Sequence, residues 1–280
     1  MEFFTGLFTS SSPSIPNNLD GLISPSLSQD DIEMLTKIPT ADEIKKVVFS
    51  MGSNKAPGPD GMLALFFKFY WNVISGEVIE AVISFFNRRY MLKEINHSFI
   101  ALIPKGNNAA SVNQFRSISL CNVLYKIISK LLANRLKQVL NKLISPWKTA
   151  FIPGHNIQEN TFIAQEILHS MKKKKGKTGW LALKIDMEKA YDRLEWNFLE
   201  KVLHCFGFSS IWIQWVMQCV STTSFSILIN GSPFGFFKPQ RGVRQGKPLS
   251  PFLFVLAAEV LAWLIEREAT CSDIKGYKLT

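Results

Sequence analysis

A chain of 280 residues that is 47% hydrophobic can bury a substantial core, which excludes disorder throughout and fits one large domain or two smaller lobes. Its formal charge of +10 points to an acidic partner, most simply nucleic acid, although an ordinary basic soluble protein carries the same balance. Cys121, Cys205, Cys219 and Cys271 show no CxxC spacing, the start MEFFTGLFTSSSPSIP lacks the basic flank of a signal peptide, and PFLFVLAAEVLAWLI is too short for a bilayer span, so zinc ribbons, disulfide frameworks, secretion and a membrane partner are all set aside.

In chain order, residues 9–30 are rich in Ser, Pro and Asn without an apolar period, and the first 40 residues read as a linker-like segment. Thr40 followed by Glu43 forms a capping-box pattern ahead of EIKKVVFSM and starts a helix. NKAPGPDG at 54–61 forces a loop, helical patterns cover about 62–74 and 76–90, and SFIALIPK at 98–105 reads as a strand. The clearest helix spans Asn122 to Ile144: Val123, Ile127, Leu131, Leu136, Val139 and Leu143 recur at helical spacing, with Lys126, Lys130, Arg135, Lys137 and Lys142 between them.

A further helix near 157–171 ends in KKKKGK at 172–177, which is either a solvated turn or a phosphate contact. WLALKID at 180–186 reads as a strand that ends on an acid. Helices around 194–205 and 210–220 follow, then TTSFSILINGSPFGFF, in which Asn230 and Gly231 between two strand-like runs signal a hairpin. Ser250 and Pro251 supply an N-cap and a first-turn proline for the last helix. Helices mixed with short strands, without regular alternation, indicate the α+β class.

A carboxylate at the end of a buried strand costs desolvation energy unless it is paired or holds a cation, so Asp186 invites a metal; the alternatives are a turn cap or a pairing with Lys184 or Lys189. RGVRQGKPLSP at 241–251 sets two arginines and a Gln-Gly pair before a buried helix. Arginines suit phosphate oxygens, glycine permits close backbone approach, and the glutamine can contact a sugar hydroxyl, but Ser250 and Pro251 also simply start a helix.

Six stretches in order, NKAPGPDG, IALIPK, FRSISLCNVLYKIISKLLANRL, AFIPGHNIQEN, LKIDMEKAYDRLEW and RGVRQGKPLSPFLF, closely resemble successive motifs of the reverse transcriptase domain of plant LINE-type, non-LTR retrotransposons. The resemblance implies right-hand polymerase-like fingers over 41–179 and an incomplete palm over 180–280. It implies RNA-templated addition of deoxynucleotides to a DNA primer, with two Mg2+ ions. Carried over residue by residue, Asp186 is the first palm carboxylate and the Met187 carbonyl a further metal ligand. Tyr191 is the aromatic under the incoming sugar, Gln245 and Gly246 line the nucleotide, Lys105 and Arg116 approach the triphosphate, and Arg241 and Arg244 approach the nucleic acid. Cytoplasm and nucleus are the compartments that the family implies.

The sequence departs from the family pattern at several places. The adjacent aspartates of a Tyr/Phe-Ala-Asp-Asp hairpin are not found, the only adjacent aspartates being Asp30 and Asp31, and by the resemblance the thumb is expected to be absent as well. Ser117 stands where proline is usual, Trp147 and His155 replace glutamine and arginine, and Lys247 replaces an aspartate. On this reading the chain ends before its second carboxylate motif, with an uncovered palm edge and reduced solubility. The alternative reading is an inactive remnant that at most binds nucleic acid. A metal-dependent nuclease on Asp186 is disfavoured, since His97, His155, His169 and His204 show no ligand spacing.

Overall fold

The computed structural model describes residues 1–15, 19, 21–23, 26–146, 148–152, 154, 156–173 and 180–271. Trp147, His155, most of the KKKKGK run and the last nine residues therefore lie outside the described residues.

The chain runs α1 (Glu2–Phe8), α2 (Gln29–Thr36), α3 (Ala41–Phe49), α4 (Ala64–Phe69), α5 (Trp71–Arg88), α6 (Lys93–Asn96), β1 (His97–Pro104), β2 (Phe115–Cys121), α7 (Val123–Leu143) and α8 (Ile157–Lys173). It continues with α9 (Trp196–Cys205), α10 (Ser210–Ser221), β3 (Ser224–Ile229), β4 (Ser232–Phe237) and α11 (Ser250–Thr270). This is the mixed helix and sheet class read from the sequence. No described helix is long and apolar enough to cross a membrane.

The apolar period of α7 makes it the hub. Ile127, Leu131, Leu132, Leu136 and Leu140 are fully buried, and α2, α3, α5, α10 and α11 pack around the helix. Burying such side chains stabilises by roughly 1.5–3 kcal/mol each, before chain entropy is charged against it. Arg135 sits on the same helix inside this core. Its guanidinium donates to both Glu43 carboxylate oxygens at 3.1 and 2.9 Å, to the Leu35 carbonyl and to the Lys37 carbonyl, which ties α7 to α2 and α3. The capping box expected at α3 is therefore half made: Thr40 Oγ1 accepts from the Glu43 amide at 3.2 Å, while the Glu43 side chain is drawn away to Arg135.

The sheet has the order β2-β1-β3-β4, with β1 antiparallel to β2, parallel to β3, and β3 antiparallel to β4. The β3-β4 turn uses the Asn-Gly pair read from the sequence, and both residues take positive φ, as a two-residue hairpin turn requires. The helix α1 covers one face of the sheet: Phe4, Leu7 and Phe8 pack with Ile100, Phe225, Ile227 and Phe237. The first 40 residues are thus not a linker at either end, because α1 belongs to the sheet's core and Leu35 of α2 to the core around α7.

Three other expectations shift. The break expected near residue 75 falls at Tyr70, which ends α4 and starts α5. Leu249, not Ser250, is the N-cap of α11, and Ser250 and Pro251 occupy its first turn. The third change is larger, because the strand expected at 180–186 does not form. Residues 180–187 carry no regular structure, and Leu181, Leu183 and Ile185 are exposed. A strand is stabilised by cross-strand neighbours and a buried face, and no described strand pairs with this segment.

Candidate active site

The chain that follows Asp186 is zipped onto the RQG segment. The Val243 amide donates to the Tyr191 carbonyl at 2.8 Å, the Gly242 amide to the Leu194 carbonyl at 2.7 Å, and Trp196 Nε1 to the Gly242 carbonyl at 2.8 Å. Gly242 is forced by this approach: its φ is 94°, and a Cβ would stand 2.7 Å from the Asp192 carbonyl oxygen. Arg241 closes the zipper by pairing with Glu195 at 3.2 Å and donating to the Leu7 carbonyl.

The centre of this arrangement is Asp192. It is buried, both of its oxygens accept from Gln245 Nε2 at 3.1 Å, and Ser117 Oγ donates to it at 3.3 Å. Burial holds its carboxyl above the usual range, while the hydrogen bonds from Gln245 and Ser117 and the charge of Lys189 act the other way. The Gln245 backbone is docked too, since its carbonyl accepts from the Ser119 amide of β2 at 3.3 Å. Three parts of the chain (β2, the stretch after Asp186, and RQG) are thus fixed against one another at a single carboxylate. In the sequence Asp192, like Glu188 and Glu195, lies beyond the expected strand with no spacing that aims it at one point, and Ser117 reads only as a departure. The available signal was the Gln245 amide, which needs an acceptor wherever it is enclosed.

Tyr191 stacks on Phe254 of α11, with ring centroids 4.9 Å apart and planes at 18°, and Gly246 follows Gln245 directly. Lys105 and Arg116 meet at one end of the β1-β2 pair, where Ile103 registers with Arg116 and Lys105 Nζ donates to the Asn113 carbonyl at 3.1 Å. Strand alternation puts exposed Arg116 on the face opposite buried Ser117.

Arg244 has a different environment from the one read in the sequence. It is buried, donates to the Asn96 carbonyl and carboxamide, to Ser98 Oγ and to the Cys219 carbonyl, and lies over the Tyr125 ring at 3.6 Å. Its guanidinium is turned into the core, where these protein groups occupy its donors. Lys247 is buried beside it. Burial alone would push the Cys121 thiol up, but the Arg244 and Lys247 cations pull it below its ordinary value. A lysine in place of the family's aspartate therefore has a thiol neighbour, reached from β2.

Asp186 lies apart from this cluster, in the exposed stretch beside α11. With Ile185, Met187 and Lys148 it lines a cavity of about 510 Å³ whose other wall includes Phe254, Ala258 and Leu261. Lys148 pairs at 2.7 Å with Glu259, which is fully buried and also accepts from the Ser145 amide and Trp263 Nε1. The donor set does not fit a pair of divalent ions. Mg2+ takes about six oxygens, Asp186 and the Met187 carbonyl supply two kinds, and among the described residues no three His, Cys, Asp or Glu side chains converge.

Lys105 and Arg116 at one end of β1-β2, and a Gln-Gly turn docked on β2 beside the Asp192 loop, thus lie on stretches that each resemble a reverse transcriptase motif. Residues 103–275, more than half of the chain, match the family model described as reverse transcriptase (RNA-dependent DNA polymerase), and the chain belongs to that family. It is 30% identical over 272 residues to the "Transposon TX1 uncharacterized 149 kDa protein" of Xenopus laevis, a match covering 96% of this chain and 20% of that one. It is 30% identical over 239 residues to the "Retrovirus-related Pol polyprotein from type-1 retrotransposable element R2" of Nasonia vitripennis, covering 81% of this chain and 21% of that one. The type-2 element R2DM polyprotein of Drosophila melanogaster is 29% identical over 213 residues, covering 74% and 19%. The chain spans about a fifth of the length of these relatives.

Proposed function

We propose that the chain is the fingers and part of the palm of the polymerase of a non-LTR, LINE-type retrotransposon. The reaction would extend a DNA primer on an RNA template: the primer 3′ oxygen bonds to the α-phosphorus of a deoxynucleotide, and the bond to pyrophosphate breaks. The observation that carries this reading is the docking of Tyr191 to Trp196 on Arg241 to Gln245 through Asp192, which assembles residues from three of the family's motifs in one place.

In this reading Asp186 and the Met187 carbonyl would be metal ligands, a role for which no further cluster of ligating side chains is found among the described residues. Lys105 and Arg116 neutralise the triphosphate, where preorganised cations stabilise charge that develops on the leaving group. Tyr191, held in place by Phe254, sits under the sugar and crowds a 2′-hydroxyl. Gln245 and Gly246 line the nucleotide, with the Gln245 amide oriented by Asp192. Arg241 acts by holding the RQG segment to Glu195.

A second reading, nucleic-acid binding without catalysis, is favoured by one observation: among the described residues no three His, Cys, Asp or Glu side chains come together to hold a metal. Primer extension on an RNA template with Mg2+ tests the two. Extension that Asp186→Asn abolishes supports the polymerase; no extension together with salt-sensitive RNA binding supports the second.

A further inference from the structure

A second cavity, of about 690 Å³, lies at the other end of β1 from Lys105, where Tyr90, Lys93, Glu94, His97, Phe236 and Lys238 come together. The eight residues of β1 put it roughly 25 Å from the Lys105 end. None of its residues takes part in the cluster around Asp192.

Two properties suit this cavity to a nucleotide. The first is a fixed aromatic wall. Phe236 is 62% exposed on β4 and stacks on His97, with centroids 5.7 Å apart and planes at 23°. The His97 ring is locked by Ser224 Oγ at 2.8 Å on Nδ1 and Ser226 Oγ at 3.3 Å on Nε2, and burial lowers its pKa, so the imidazole is a flat, neutral partner at pH 7. Tyr90, 52% exposed, adds a second ring. The floor is rigid as well, since Thr222 and Thr223 are bonded to Asn96. The second property is charge. Lys93 and Lys238 outnumber Glu94 at the rim, and Arg88 and Arg89 precede Tyr90. Exposed rings flanked by cations are how sequence-tolerant sites hold unpaired bases and their phosphates. A purely apolar peptide would leave the two lysines without counter-charge.

We propose that this cavity holds one unpaired nucleotide of a single-stranded nucleic acid, its base against Phe236 and Tyr90 and its phosphates on Lys93 and Lys238. The site is distinct from the one around Asp186 and does not use metal.

The test is binding of a fluorescein-labelled 12-mer of dT or U to the whole chain, read by anisotropy in EDTA at low salt. Phe236→Ala should weaken binding by roughly tenfold, the scale of one lost base stack. Phe236→Leu, which keeps bulk without the ring, should weaken it similarly, and Phe69→Ala, exposed elsewhere, should leave it unchanged. Lys93→Ala and Lys238→Ala should each lower the slope of log K against log salt by about 0.7. Crosslinks from 4-thiouridine should map to 90–97 or 236–238, and excess thymidine monophosphate displaces the oligonucleotide only if a free nucleotide suffices. Wild-type affinity in both Phe236 variants, crosslinks confined to other segments, or no binding by the wild type overturns the proposal, including in favour of a protein occupant. Because no extension is measured, failure here is separate from failure of the polymerase reading.

Discussion

Gly58 lies in the NKAPGPDG loop where that loop crosses the junction of β2 and α7. A Cβ at this position would overlap the Asn122 backbone nitrogen and the Cys121 carbonyl carbon, and would come within 2.5 Å of Asn122 Oδ1. Those atoms belong to a junction that has little room to yield. Asn122 Oδ1 accepts from the Asp60 amide at 3.1 Å, its Nδ2 donates to the Glu94 carbonyl at 2.8 Å, and Cys121 is buried. Gly58→Ala must therefore overpack the junction, costing about 1–3 kcal/mol, and shift the loop enough to forfeit the Asp60 hydrogen bond, worth about 1 kcal/mol. The two together give a destabilisation of about 2–4 kcal/mol, or roughly 3–7 °C in Tm for a chain of this size. Urea unfolding followed by circular dichroism measures it, with an unchanged slope showing that only stability moved. Gly76→Ala is the opposite control: it lies inside α5 with nothing within 4 Å of a Cβ, and should stabilise by about 0.5–1 kcal/mol. A Gly58→Ala protein within 0.5 kcal/mol of wild type would refute the argument from contact.

Asp192 carries a raised pKa, so its ionised form is unfavourable to folding above the ordinary carboxylate range, and that cost is relieved as pH falls through the raised value. Asp192→Asn should remove this dependence, so that in urea titrations the wild type gains stability relative to the variant as pH falls towards the ordinary carboxylate range. Asp31 is the reverse case: the Lys142 ammonium and Ser28 hold its carboxyl at about 2, so its contribution is present above pH 3.8 and is lost as pH falls towards 2. Lys142→Ala should return the Asp31 carboxyl towards its ordinary value in a carbon-detected NMR titration. Glu259→Ala strands Lys148, the Ser145 amide and Trp263 Nε1, and should cost about 2–4 kcal/mol in urea unfolding, whereas Glu259→Gln, which keeps an acceptor, should cost less. Equal losses in the two variants would remove the hydrogen bonds from that account.

What was legible in the sequence was local. The bounds of α7 follow from a long 3.6-residue period, and the β3-β4 turn from an Asn-Gly pair, because both signals lie within a few residues of the structure they cause. The helix α1 was read as linker because Phe4, Leu7 and Phe8 have no meaning until Ile100 and Phe225 are placed beneath them. The strand expected at 180–186 failed for the same reason, since alternation describes a surface but pairing needs a neighbour. In the candidate site, Tyr191 and Gln245 were visible through their motifs. Asp192 was not, because its partner is 53 residues away. Arg244 was read as facing phosphate because an irregular segment carries no period from which its inward face could be inferred.

The parallel pairing of β1 with β3 has a kinetic consequence. His97 and Ser224 are 127 positions apart, and α7, α9 and α10 all lie between them. Closing so long a loop is entropically costly until the intervening helices have shortened it by docking. The helices around α7 should therefore assemble first and the sheet join last. A refolding experiment would then gain helical signal before the amides of β3 become protected from exchange, and the cavity lined by His97 and Phe236 would mature in the final step.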